Sequence, residues 1–350
     1  MNIKLLIVED DKSLIQLYTD SLVAYPDINV EFSLNKEDAL AMIKSNNYDA
    51  AIIDLKLDNP EIPTEGSDIA KEINENLRFP IVIYSANIEE LSEDFKSKES
   101  VFLKIYSRYD KEITTIFDEI KALKATGIID ILNKKGHIES YLNEIFWNYL
   151  THTMPFWIEE SKTKDTKNAL LRYTLSHLQE YLEINNKGEY DNYYSLEVYI
   201  KGPIKKHQKT IFTGDIVKNE EADEYYLVIT PTCDLVIDSS RPTPKAKFIT
   251  LVKIVNIEDL ISDIPEGNKK NNKRESIKKN NEYAYHFLPK YLSFFDGGVV
   301  CFQDIKSILL TDILNQSKYK IELCISTSFK KDIVSRFSSY YSRQGQPIII

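Results

Sequence analysis

Apolar runs of strand composition alternate with helix-period stripes through the first 124 residues. This alternation constrains the fold more than any other feature of the chain. The runs are Lys4-Leu5-Leu6-Ile7-Val8, Ala50-Ala51-Ile52-Ile53, Pro80-Ile81-Val82-Ile83-Tyr84 and Val101-Phe102-Leu103. The stripes are Leu14, Leu17, Tyr18 and Leu22 in Ser13–Ala24; Ala39, Leu40 and Ile43 in Lys36–Ser45; Ile69, Ala70 and Ile73 in Ser67–Asn76; and Ile113, Ile116, Phe117, Ile120 and Leu123 in Lys111–Leu123. Apolar residues at i, i+3, i+4 mark one face of a helix. Strands that alternate with helices pair in parallel through right-handed crossovers. The expectation is a doubly wound α/β sheet.

Each run ends on a chemically distinctive residue: Glu9-Asp10-Asp11, then Asp54, Ser85 and Lys104. Open α/β sheets bind ligands in the crevice outside the carboxyl ends of their strands, so these four positions can form one site. An acidic pair, a lone aspartate, a hydroxyl and a lysine suit a carboxylate that receives a phosphoryl group, a reaction that depends on positioning and charge neutralisation. In this reading Asp54 is the nucleophile. Glu9, Asp10 and Asp54 hold one Mg²⁺ through hard oxygen ligands, with the backbone carbonyl of Lys56 as a further ligand. Lys104 neutralises phosphoryl oxygens as a point charge. Ser85 donates a hydrogen bond to the acylphosphate.

Residues 1–122 resemble a response-regulator receiver domain. The resemblance is carried by Ile7-Val8-Glu9-Asp10-Asp11, Tyr48-Asp49, Ile53-Asp54-Leu55-Lys56-Leu57, Gly66, Pro80-Ile-Val-Ile-Tyr-Ser85-Ala86 and Lys104. It implies a five-strand α/β module phosphorylated on aspartate by a histidine kinase or another phosphodonor protein. Three departures stand out. Asp58-Asn59-Pro60-Glu61-Ile62-Pro63 lengthens the segment between Asp54 and Gly66. Lys104 precedes Ile105, where the family carries proline. The interval from Ser85 to Lys104 is short, with Val101 where a switch aromatic is common.

Charge divides the 350-residue chain: residues 1–125 carry 25 acidic and 14 basic side chains, the remainder 29 and 30. Such asymmetry marks separate modules, and neither balance supports nucleic-acid binding. No uninterrupted apolar stretch approaches the roughly 20 residues a spanning helix needs. With no signal peptide, the expectation is a soluble, cytoplasmic protein with no membrane partner. Cys233, Cys301 and Cys324 are too scattered for a disulfide framework or a zinc motif.

Residues 125–190 read as a helical connector. It carries stripes at Ile138, Tyr141, Leu142, Ile145, Phe146 and Tyr149, and at Leu170, Leu171, Leu175, Leu178 and Leu182. Residues 191–350 read as an α+β region, with strands over Ser195–Ile200, Ile211–Val217, Tyr225–Thr230, Phe248–Val255 and Gly298–Phe302, a mobile polar loop over 265–282 and a final helix over Phe329–Tyr341. The aromatic pairs Phe146-Trp147, Phe156-Trp157, Tyr193-Tyr194 and Tyr225-Tyr226 suggest core and inter-domain packing. Gly214-Asp215 through Pro231-Thr-Cys-Asp-Leu235, with the terminal Ser335–Pro347, is similar to uncharacterised tails of receiver-like proteins from bacterial conflict systems. This resemblance implies no activity.

The sequence therefore points to two-component-type signal transduction, in which Asp54 accepts a phosphoryl group and controls a C-terminal effector or partner-binding region. One alternative is a degenerate receiver that serves as a docking scaffold. Another is an enzyme using Cys233, with His207 the nearest base; a structural turn is the more economical account of Cys233.

Overall fold

A computed structural model describes residues 2–57, 65–185, 187–201, 210–237, 241–315 and 318–343. The long segment after Asp54 (Asp58–Pro63), His207 and the terminal 344–347 lie outside them. The chain divides into two compact units, Met1–Tyr190 and Asp191–Ile350.

The first unit runs β1 (Ile3–Val8), α1 (Lys12–Leu22), β2 (Ile28–Ser33), α2 (Lys36–Ser45), β3 (Ala50–Ile53), α3 (Glu65–Asn76), β4 (Ile81–Ser85), a short α4 (Glu93–Lys96), β5 (Leu103–Ser107) and α5 (Ile113–Ala125). The five strands form a parallel sheet in the order β2-β1-β3-β4-β5. Alternate strand residues face two cores. Leu6, Val8, Ile53 and Ile83 pack with Ile69, Ala70 and Ile73 of α3. Ile3, Leu5, Ile7 and Ile52 pack with Ile116, Phe117 and Ile120 of α5. Both faces are covered, which is why β1 and β3 read as continuous apolar runs. Helix starts follow local chemistry: the Asp11 carboxylate accepts from the N–H of Ser13, and the Asn35 side chain from that of Asp38.

Four helical segments complete this unit: α6 (Ile128–Leu132), α7 (His137–Glu144), α8 (Thr151–Glu160) and α9 (Lys167–Tyr181), with a π turn over Ile145–Leu150. Lys124 of α5, only 7% exposed, bonds Asp49 at 3.0 Å and also Asp130 of α6. Asn133 donates to the carbonyl of Tyr48 at 2.7 Å. These contacts fix α6 at the amino ends of the strands. Within α7–α9 and the π turn only Ile145 and Leu150 are buried. Phe146, Trp147 and Phe156 are more than half exposed, as are Tyr193 and Tyr194. Of the aromatic pairs expected to be core, Tyr225-Tyr226 is the one drawn inside, with Tyr226 fully buried and Tyr225 packed against the core.

The second unit contains β6 (Tyr199–Lys201), β7 (Asp215–Asn219), β8 (Glu224–Val228), α10 (Thr232–Leu235), β9 (Phe248–Val255), α11 (Ile257–Leu260), α12 (Asn268–Lys278), β10 (Tyr285–Leu288), β11 (Gly298–Leu309), α13 (Leu310–Leu314), β12 (Tyr319–Ile325) and α14 (Thr327–Ser342). Its seven strands pair antiparallel in the order β10-β11-β9-β8-β7-β12-β6. Phe329, Ile333 and Phe337 of α14 cover one face; Leu235 of α10 and Leu310 and Ile313 of α13 sit on the other. Two expectations are corrected. The polar stretch 265–282 holds a helix, α12, because Ile277 is buried and Arg274 grips Glu258 of α11 with two nitrogens. Ser195–Val198 is a 3-10 turn, and β6 starts only at Tyr199. Among the described residues no helix is long and apolar enough to cross a membrane.

Candidate functional site

Strand register brings the carboxylates together. Val8 pairs with Ile53, and the Asp54 N–H donates to the Val8 carbonyl at 3.0 Å, so Glu9 and Asp54 leave adjacent strands at one level. Ile53 pairs with Ile83, which sets Ser85 one residue beyond the level of Asp54. Glu9 and Asp54 are 2% and 6% exposed and Ser85 is fully buried. Ligand oxygens of Glu9, Asp10 and Asp54 lie within 4.8 Å of one another. A hard-oxygen set this compact fits Mg²⁺, which takes few protein ligands and keeps waters. The Ser85 hydroxyl accepts from the N–H of Asn87 at 3.3 Å. Lys56 directs its ammonium to Glu90 at 2.8 Å, away from the carboxylates.

Gly66, the second residue of α3, explains how the helix approaches so closely. Its N–H reaches the Leu55 carbonyl at 3.2 Å. A Cβ there would stand 1.9 Å from the Asp54 carbonyl oxygen, and that backbone has no room to yield.

Lys104 is not brought to this cluster. The apolar run at Val101-Phe102 lies outside the strand, with those side chains 64% and 50% exposed. The strand begins at Leu103 and continues through Ile105 and Tyr106. Lys104 therefore pairs with Val82, three residues short of the Ser85–Ser107 pair. At roughly 3.3 Å per residue this is about 10 Å from the strand's end. Lys104 lines a groove of about 410 Å³ with Tyr106, Glu119 and Leu123. The residue that leaves the end of β5 is Arg108. Its Nη2 bonds Glu9 Oε2 and lies 3.1 Å from Asp54 Oδ2. Its Nε donates to the Tyr84 carbonyl at 3.3 Å, and its guanidinium lies 6.0 Å from the Tyr84 ring centre. The short Ser85-to-Lys104 interval and the apolar residues after Lys104 are the sequence signals of this shift.

Burial pushes the Glu9 carboxyl up to about 7 even though the Arg108 guanidinium draws it down; Asp54 and Asp10 add to the rise. Loss of hydration thus favours the uncharged form of Glu9 more than the guanidinium favours the charged one.

In the second unit Cys233 is exposed, with its sulfur 3.7 Å from Asp234 Oδ1. Cys301 and Cys324 are buried.

An open parallel sheet with its buried carboxylates at one carboxyl edge defines a doubly wound α/β domain with a crevice site. The response regulator receiver domain family matches residues 5–98, and the front of this chain is a receiver domain, the module of two-component signalling. Similar solved structures each correspond to about a third of the chain. The CheY-like receiver domain from Methylobacillus flagellatus is 19% identical, covering 35% of this chain and 99% of that one, with TM-score 0.29. The receiver domain of Francisella response regulator 1452 is 24% identical over 36% and 99%, with TM-score 0.30. The receiver domain of the sensor histidine kinase PA1611 from Pseudomonas aeruginosa PAO1, which holds a magnesium ion in its active-site cleft, is 16% identical over 35% and 97%, with TM-score 0.29. No curated protein matches the chain.

Proposed function

We propose that residues 1–124 accept a phosphoryl group on Asp54 from a histidine kinase or another phosphodonor protein. Residues 125–190 then act as a helical connector, and 191–350 as the effector or partner-binding region under its control. The observation that supports this reading is the buried Glu9/Asp54/Ser85 edge with Asp10 beside it. Glu9, Asp10 and Asp54, with the Lys56 carbonyl, would hold Mg²⁺, which supplies positive charge opposite the incoming phosphoryl oxygens. Asp54 would attack phosphorus in line while the bond from phosphorus to the donor breaks and the donor group leaves with its electron pair. The Asp54 Oδ1 is already oriented by the Leu55 N–H at 2.8 Å. Ser85 lies one residue beyond, and its hydroxyl would donate to the acylphosphate. Arg108 would take the counter-charge role expected of Lys104; its planar fork suits phosphoryl oxygens better than a single ammonium.

The test is acetyl phosphate with Mg²⁺ followed by peptide mapping. Wild type should carry the label on Asp54 and Asp54→Asn none; label elsewhere, or none from several donors, contradicts the proposal. One observation favours a second reading, a receiver retained as a docking scaffold: Arg108 already satisfies the two carboxylates a phosphoacceptor would use. In that case partner binding persists unchanged in Asp54→Asn.

A further inference from the structure

We propose that Arg108 is a tethered cation that closes the acidic cleft, so that a divalent metal enters only when the guanidinium is displaced. The inference rests on reading the cleft as a metal-assisted phosphoacceptor and adds how access to it is controlled.

Glu9 Oε1 accepts from the Asp11 N–H at 3.2 Å, and Asp54 Oδ1 from the Leu55 N–H at 2.8 Å. Each carboxylate therefore has one oxygen bound to backbone and one facing the cleft. The two facing oxygens, Glu9 Oε2 and Asp54 Oδ2, are both engaged by a single nitrogen, Nη2 of Arg108. A Mg²⁺ ion coordinates oxygen at about 2.0–2.1 Å. An ion bound to both oxygens would fill the space that this nitrogen holds. Guanidinium and metal are thus mutually exclusive there, and the competition is steric as well as electrostatic.

Arg108 is also held in readiness. Its backbone N–H donates to the Ser85 carbonyl at 3.1 Å, and its Nε rests on the Tyr84 carbonyl. The backbone anchor is independent of Nη2, so the terminal nitrogens can leave the carboxylates without loss of the strand end. An arginine cannot escape by deprotonation, so a competing cation is what releases it. Lys104, about 10 Å away along the strand, takes no part.

The experiment is isothermal titration calorimetry of the full chain with Mg²⁺ alone, for wild type, Arg108→Gln, Arg108→Lys and Lys104→Gln. Circular dichroism checks folding, and the Arg108 Nε–H resonance in wild type provides a second readout. Arg108→Gln should bind Mg²⁺ about tenfold or more tightly than wild type. Arg108→Lys, which keeps the charge but loses the fork, should fall between. Lys104→Gln should match wild type, and the Arg108 Nε–H signal should shift as metal enters. Equal affinities for wild type and Arg108→Gln overturn the closing role and leave the phosphoacceptor reading standing. A tightening in Lys104→Gln as large as in Arg108→Gln also overturns it, because general charge would then explain the effect. If no variant binds Mg²⁺, the metal-assisted reading falls and the closing role with it. If Arg108→Gln does not fold, Arg108→Lys and the Nε–H shift decide the matter alone.

Discussion

In the front sheet all five strands run the same way, so Glu9, Asp54 and Ser85 emerge at a single edge. In the seven-stranded sheet neighbours alternate in direction. Its buried polar residues are dispersed: Asp215 starts β7, Asn219 ends it, and His286 lies within the edge strand β10. The difference shows why a site can be read from one half of the chain and not from the other. Parallel strands turn a list of strand-end residues into a cleft, whereas antiparallel strands send successive ends to opposite sides.

If the front site depends on convergence at one edge, a single methyl group on the helix that follows β3 should damage it most. Gly66→Ala puts a Cβ against the Asp54 carbonyl oxygen. The expected cost is about 3 kcal/mol, at the upper end of overpacking penalties, with faster hydrogen exchange in β1 and β3 and unchanged exchange in β7–β9. Unchanged exchange in β1 and β3 would show that the close approach of α3 is not required.

The second unit should respond to pH through isolated groups. Burial and the nearby charge of Arg336 hold His286 down at about 4, while the Asp332 carboxylate stands 3.6 Å from its Nδ1. A histidine with a lowered folded-state value contributes stability above about 6.5, and that stability is lost as pH falls toward 4. The full difference is about 3 kcal/mol. Asp215 acts in the opposite sense. Burial raises it to about 6, so its contribution is present below about 3.8 and lost as pH rises through 6. Denaturant titrations between pH 7 and pH 4.5 should show a shallower loss for His286→Gln than for wild type; identical slopes would remove His286 as an acid-sensitive group.

The smallest effect is expected at the surface of that unit. Glu258, half exposed, meets Arg274 through two bonds of 2.7 and 2.8 Å. Glu258→Gln should shift the unfolding midpoint little, as loss of an exposed, solvent-screened pair does. A larger loss in thermal denaturation would mean that α12 depends on this pair more than on burial of Ile277.

Particular residues show how far the sequence is legible. Lys36–Ser45 and Phe248–Val255 have the same bounds in the sequence reading and in the fold, since a full amphipathic stripe and a β-branched run leave no alternative phase. Asp54 and Ser85 follow from where apolar runs stop. Lys104 reads as a strand end because Val101-Phe102 is apolar, yet those side chains are exposed and the strand runs Leu103–Ser107, which puts Arg108 at its end. The segment Asn268–Lys278 is so polar that composition hides a helix held by one buried isoleucine and its ion pairs. β12, Tyr-Lys-Ile-Glu-Leu-Cys-Ile, alternates in a way that does signal a strand. β10, only four residues long, offers no periodicity to detect.

The central claim is that Asp54 is a phosphoacceptor within the carboxylate edge of the front sheet. The most direct measurement is ¹⁹F NMR of the full chain with beryllofluoride and Mg²⁺. Wild type should give bound fluoride resonances, and Asp54→Asn should give none while retaining its circular dichroism spectrum. Bound resonances of equal intensity in Asp54→Asn, or none in wild type, would contradict the account.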